Sequence, residues 1–254
     1  MVESNHSKKQ PFFIENIPSI QYKCPYISGL ISLGQYQLQP TTMSGKKRTN
    51  GYTRNYFFVF SIIILLLGLI AFSDNFLFDI DQESNSDPGF IVHGILMYAW
   101  YTIVLVQTNH IRKLSIKSHM RLGMIGFIIA LLIICSIGYL FMVGQPYEEL
   151  PFFGKANRFF YAAFIGLLLL AYLKRDKPEL HKHAIVVAIL LLMEPLLSRV
   201  GMNTGTDPAI IAPIIWLILW LSLFVYDIAS RRRLHFLTYG GFIYWIVVYN
   251  IIVS

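Results

Sequence analysis

What most constrains this chain is a succession of long apolar runs joined by loops too short to hold a domain of their own. The runs cover residues 56–72, 90–108, 122–143, 159–173, 184–197, 210–226 and 236–253. A helix needs about 17–25 residues to cross about 30 Å of hydrocarbon, and an open helix end or strand edge is not tolerated there. A soluble domain carries about a quarter charged residues; here the share is 14%, too few to coat a water-exposed surface of this size. The spacing therefore predicts an all-α integral membrane bundle of seven transmembrane helices over residues 56–254. The runs 159–173 and 184–197 are the shortest, so a tilted or broken element is expected there.

The loops alternate in charge. Lys46, Lys47, Arg48 and Arg54 precede the first run, and Asp74, Asp79, Asp81, Glu83 and Asp87 follow it. His110, Arg112, Lys113, Lys117 and Arg121 follow the second, while Glu148 and Glu149 follow the third. Lys174, Arg175, Lys177 and Lys182 follow the fourth, and Arg231, Arg232 and Arg233 follow the sixth. Basic residues are retained on the cytoplasmic side, which places the N-terminus inside, in the inner or plasma membrane. The net charge of +7 is thus spent on topology. It does not form a phosphate-binding face, so the expected partner is the lipid bilayer and not nucleic acid.

Residues 1–55 read as a polar, disordered tail punctuated by Pro11, Pro18, Pro25 and Pro40, with no secretory signal at its start. An alternative start at Met43 would give MSGKKRTNGYTRN followed at once by an apolar run. The cysteines form no framework: Cys24 lies in the tail and Cys135 within an apolar run, where it packs as a small hydrophobe.

Candidate chemistry lies on a polar stripe and at one set of helix ends. His93, Trp100 and Gln107 recur every seven residues, which returns them to nearly one helix face. His119, Gly123 and Gly126 stand at i, i+4 and i+7, so a histidine opens a helix whose small-residue face admits a close neighbour. In the predicted topology His110, His119, His181, His183, His235 and Asp227 all fall at cytoplasmic ends, and His93 alone sits near the outer face. His93 and His110 lie roughly 25 Å apart along one helix and cannot share a metal. His181 and His183 point about 200° apart, so at most one of them faces a given site. These imidazoles are either interfacial side chains beside lipid headgroups or ligands to a metal or haem drawn from facing helices. No HExxH and no paired CxxC occurs. Trp100, Trp216 and Trp220 read as packing aromatics. Glu194, late in the fifth run, is either a buried carboxylate paired with Arg199 or Arg158, or a group near enough to the outer surface to be solvated.

The segments H-G-I-L-M-x-x-W, Q-x3-I-R, S-H-M-R-L-G, E-L-H-K-H, P-x3-R and Y-D-x3-R-R-R-L-H together resemble a family of bacterial multi-pass membrane proteins that has no settled activity. The resemblance covers residues 57–254, and the recurring positions are His93, Gln107, His119, Gly123, His181, Pro195, Arg199, Asp227 and His235. More distantly, the histidine–x–basic–x–glycine opening of the third run resembles families related to b-type membrane cytochromes and cytochrome-oxidase assembly proteins. That likeness implies a bound haem b and a respiratory-chain partner. His183 and His110 depart from the pattern.

A two-haem conduit needs a ligand pair near each face, and only His93 lies outside, so Met97 or Met142 would have to complete the outer pair. What remains is one inner haem with His119, His181 and His235 as candidate ligands, or a transition metal held by His119, His181, His235 and Asp227. The function expected first is haem or metal binding, redox-linked or assisting oxidase assembly. A cofactor-free small transporter or assembly partner is the alternative. A metalloenzyme acting on a lipid-borne substrate is the third reading.

Overall fold

The computed structural model describes residues 51–82 and 85–253. Residues 1–50 of the proposed tail, with the Met43 start, lie outside these residues, as do Lys46, Lys47, Arg48 and Glu83, whereas residues 51–55, expected to belong to the tail, form the start of the first helix. The described residues contain eight α-helices: α1 (Gly51–Ala71), α2 (Pro88–Arg112), α3 (Ile116–Val143), α4 (Phe152–Leu173), α5 (Pro178–Leu191), α6 (Glu194–Asn203), α7 (Pro208–Arg231) and α8 (Phe236–Val253). A π-helical turn at Asp74–Phe78 and a 3₁₀ turn at Tyr147–Glu149 connect them; among the described residues there is no strand.

Proline sets several starts. Pro88, Pro178 and Pro208 each occupy a first helical position, where the missing N–H is not needed. Asp87 and Asp207 add side-chain caps, accepting from Gly89 N at 2.6 Å and Ala209 N at 2.9 Å. Helices α2, α3, α4 and α7 are long and apolar enough to cross a membrane, as is the bent pair α5–α6 if taken as one span. At 1.5 Å per residue, the 22 residues of α4 alone reach roughly 33 Å. α1 and α8 are apolar but shorter, and are not among these candidate spans. Their outer surfaces are also apolar: α3 exposes Met124, Ile128, Leu131 and Leu132, and α7 exposes Ile214, Ile218, Leu221 and Val225. A fold that turns such faces outward matches a lipid solvent, and water would not support it.

The core gathers around α5. From His183 to Leu191 every residue except Ile185 is buried, the signature of a helix packed on all sides. Phe160 and Phe164 of α4 and Trp216, Trp220 and Leu223 of α7 close around it. Helix α8 comes so close that a Cβ on Gly241 would lie 2.5 Å from Val187 and 3.0 Å from Trp220.

The predicted weak point is where the helix breaks. Residues 184–197 do not form one helix; α5 and α6 meet at a bend of 49°. Pro195 is the cause, because it has no N–H to offer the Leu191 carbonyl and its ring crowds the preceding turn. The Leu190 carbonyl, exposed by the same break, accepts the Trp216 indole N–H at 2.7 Å. By contrast α4 begins at Phe152, seven residues before the expected start. Lys155, Asn157 and Arg158 interrupt the hydropathy there without interrupting the helix. The Arg158 guanidinium lies 3.5 Å over the Phe141 ring and donates to the Phe141 carbonyl.

Candidate functional site

The predicted helix-end residues do meet at one end of the bundle, but as two separate groups.

The first group joins α3 and α5. The turn after α2 is tight: Leu114 takes a left-handed backbone (φ 58) and His119 N–H bonds to the Ser115 carbonyl, which places His119 in the first turn of α3. His181 occupies the first turn of α5, and its Nδ1–H donates to the Ala171 carbonyl in the last turn of α4 at 2.8 Å. That bond leaves Nε2 with a free lone pair. The two rings stand edge to face, with centroids 6.4 Å apart and an interplanar angle of 90°. His119 Nδ1 is buried without a hydrogen-bond partner, and so is Gln107 Oε1. The predicted small-residue face is where α2 packs: a Cβ on Gly123 would lie 3.2 Å from Gln107 Nε2, and one on Gly126 would lie 3.0 Å from Ile103.

The second group centres on Asp227, which is fully buried. Its Oδ1 lies 2.7 Å from His183 Nε2, while Oδ2 accepts the His235 backbone N–H at 2.9 Å and the Thr238 hydroxyl at 2.7 Å. Three donors around one carboxylate hold it ionised. His183 Nδ1 faces the Glu179 carbonyl at 2.6 Å, so both ring nitrogens point at acceptors and the ring donates from each. His183 and Asp227 therefore form a buried imidazolium–carboxylate pair. His235 stacks on His183 with centroids 4.0 Å apart and an interplanar angle of 12°. Its Nδ1 accepts the Leu237 N–H at 3.2 Å, so the ring caps the start of α8 in its neutral form. Burial, then the neighbouring His183 and Arg231 charges, depress His235 to about 4. Arg232, in the left-handed region at φ 59, ends α7 and turns the chain into this cap. The rim is charged: Lys182 bonds Glu179 at 2.7 Å and the Tyr226 hydroxyl at 2.8 Å, and Arg231 lies 3.5 Å from Glu179.

The four-ligand set His119, His181, His235 and Asp227 is therefore not assembled, and no three His, Cys, Asp or Glu side chains among the described residues come together to hold a metal. The reason is angular. His181 faces α3 and α4, while His183, half a turn away, takes the carboxylate. His183, which the family pattern demoted, is the more deeply buried of the two. The nearby motif D-x7-H-x2-T (227–238) was the available signal, since its spacing spans a helix stop, a turn and a cap.

His93 lies well away from these groups. Ser136 spends its hydroxyl proton on the Ile133 carbonyl, so His93 Nδ1–H donates to Ser136 Oγ at 3.0 Å. Trp100, Trp216 and Trp220 are buried packing residues, as expected. Glu194 is 5% exposed, so the buried alternative holds, but its expected partner does not. It accepts from Asn157 Nδ2 at 2.7 Å and Ser198 Oγ at 2.6 Å. Five residues along α6 turn Arg199 about 140° away from it. There Arg199 lies 3.6 Å from Asp74 and 3.2 Å from Asn75 Oδ1.

Comparison with family models, with curated proteins and with solved structures gives no match. What the fold and its apolar exterior define is a class: an all-helical, multi-pass membrane protein.

Proposed function

We propose that the chain crosses the inner or plasma membrane seven times with its N-terminus in the cytoplasm, and that His119 and His181 together hold a metal centre, haem iron or a transition-metal ion, in a redox-linked or oxidase-assembly role. Contacts between elements support the two-ended arrangement. Tyr56–Ser222, Ser61–Thr108, His119–His181 and His183–Asp227 tie one end, where the basic loops lie. Arg199–Asp74, Asn203–Asp74 and Tyr98–Gly68 tie the other. Retention of basic loops then orients the bundle.

The metal reading rests on His119 and His181. Their ring centroids lie 6.4 Å apart, and His119 Nδ1 is buried with no hydrogen-bond partner, so these two imidazoles would be the residues to hold such a group. The Nδ1–H bond of His181 to a main-chain carbonyl is the outer contact that usually orients a liganding histidine. Gln107 Oε1 offers a further oxygen to a bare ion. Such a centre would supply one-electron chemistry. A hydrolytic site would need a third protein ligand, and Asp227 and His235 are spent on α8. The second reading, a cofactor-free transporter or assembly partner, draws on the broken α5–α6 pair.

The test is the absorption spectrum and metal content of detergent-purified protein. A Soret band supports haem, and stoichiometric metal without one supports an ion. Either should be lost in both His119→Ala and His181→Ala but kept in His93→Ala, with all variants monodisperse. Full retention in the first two would refute these ligands.

A further inference from the structure

The α5–α6 break places one acid group where an apolar bundle should have none. Glu194 lies three residues past the end of α5, and the 14 residues of that helix rise roughly 21 Å from the basic end. The carboxylate is thus in the far half of the bundle and 95% removed from solvent, being 5% exposed. Among the described residues no lysine, arginine or histidine forms an ion pair with it. Arg158, next to Asn157 on α4, is turned onto Phe141, and Arg199 onto Asp74. From α8 the titratable group that senses it is Tyr249, which is neutral as a phenol. Its direct partners, Asn157 and Ser198, are also neutral. A buried charge is ordinarily paired, so the formal negative charge here lacks its positive counterpart.

Two further observations concern the same place. Asn157 Oδ1 is buried without a hydrogen-bond partner. The Leu191 carbonyl has lost its helical donor to Pro195. Together with the carboxylate, these oxygens lie around an interrupted helix, the arrangement in which membrane bundles hold small cations.

We infer that Glu194 is a site for an exchangeable monovalent cation, a proton or Na⁺, held at the break between α5 and α6. The inference is independent of the metal centre at His119 and His181. A bound proton converts the carboxylate to a carboxylic acid, which keeps the Asn157 contact on one oxygen. A bound Na⁺ takes the carboxylate and, once the Asn157 amide turns over from its Nδ2 bond, Asn157 Oδ1 as ligands.

The experiment uses full-length protein in detergent. Dicyclohexylcarbodiimide, which attacks protonated carboxyl groups in apolar surroundings, is added between about pH 5 and pH 9, with Na⁺ or choline as the cation. Peptide mass spectrometry then locates the adduct. A Glu194 adduct that declines as pH rises, indifferent to Na⁺, identifies the proton. An adduct suppressed by Na⁺, with a melting temperature raised by roughly 5 °C in Na⁺ over choline and no such rise in Glu194→Gln, identifies Na⁺. No adduct on Glu194 at any pH, with a melting temperature indifferent to Na⁺, overturns the inference. Glu194→Gln should leave the spectrum and metal content unchanged, so the two readings fail separately.

Discussion

Removing His183 should destabilise the fold far more than its size implies, and removing Asp227 as well should return part of the loss. In His183→Leu the carboxylate stays fully buried with the His235 N–H and Thr238 hydroxyl still bonded, but without its cation. Breaking one partner of a buried pair costs about 3–5 kcal/mol. In Asp227→Leu the imidazolium loses its counter-ion and two donors are orphaned, each at about 1–3 kcal/mol, so the loss should be at least as large. In the double variant no buried charge remains, and the two orphaned donors account for most of the residual cost. The singles should therefore sum to more than the double by about 2–3 kcal/mol, the upper range for coupled neighbours. Unfolding of the detergent-solubilised protein, followed by tryptophan fluorescence, reads this directly, since Trp216 and Trp220 lie in the same core. Additive losses, or single variants each costing under about 1 kcal/mol, would refute the assignment of an ion pair to these residues.

His235 should give the protein an acid-labile step. Its proton affinity is depressed to about 4 in the folded state against about 6.5 unfolded, so the unfolded chain binds more protons between those values. Stability from this residue is complete above pH 6.5 and is lost as pH falls toward 4, by up to about 3 kcal/mol. His235→Asn, which can still cap α8, should flatten that part of the pH profile; an unchanged slope would remove His235 from the account. For topology, single cysteines replacing Lys113 or Arg232 should resist a membrane-impermeant thiol reagent in intact cells and react once the membrane is opened. Labelling of either in intact cells would reverse the proposed orientation.

Much of the helical plan could be read from the residues, because hydropathy and proline position act locally. The seven runs correspond to α1 to α5 with its α6 extension, α7 and α8, and Pro195 marks the break before any packing is known. Gly123 and Gly126 likewise announce the close approach of α2. What escaped the sequence is angular and tertiary. Nothing in E-L-H-K-H says which imidazole faces α7, since that depends on where the Arg232 turn sets α8. Charge alone paired Glu194 with Arg199, whereas the rotation between them along α6 assigns the arginine to Asp74. Arg158 and Lys155 shortened the fourth run on a hydropathy count, but a helix end tolerates a guanidinium stacked on an aromatic ring.

Asp227 has a consequence for the order in which the bundle comes together. One oxygen serves α5 and the other serves the first turn of α8, so α8 has no seat until two earlier helices have met. Synthesis delivers α5 and α7 before α8, and α8 then settles into the gap between them, bringing Gly241 against Val187 and Trp220. A chain stalled before that closure would leave a charged pair and a tryptophan face open to lipid, a state that membrane quality control is equipped to notice.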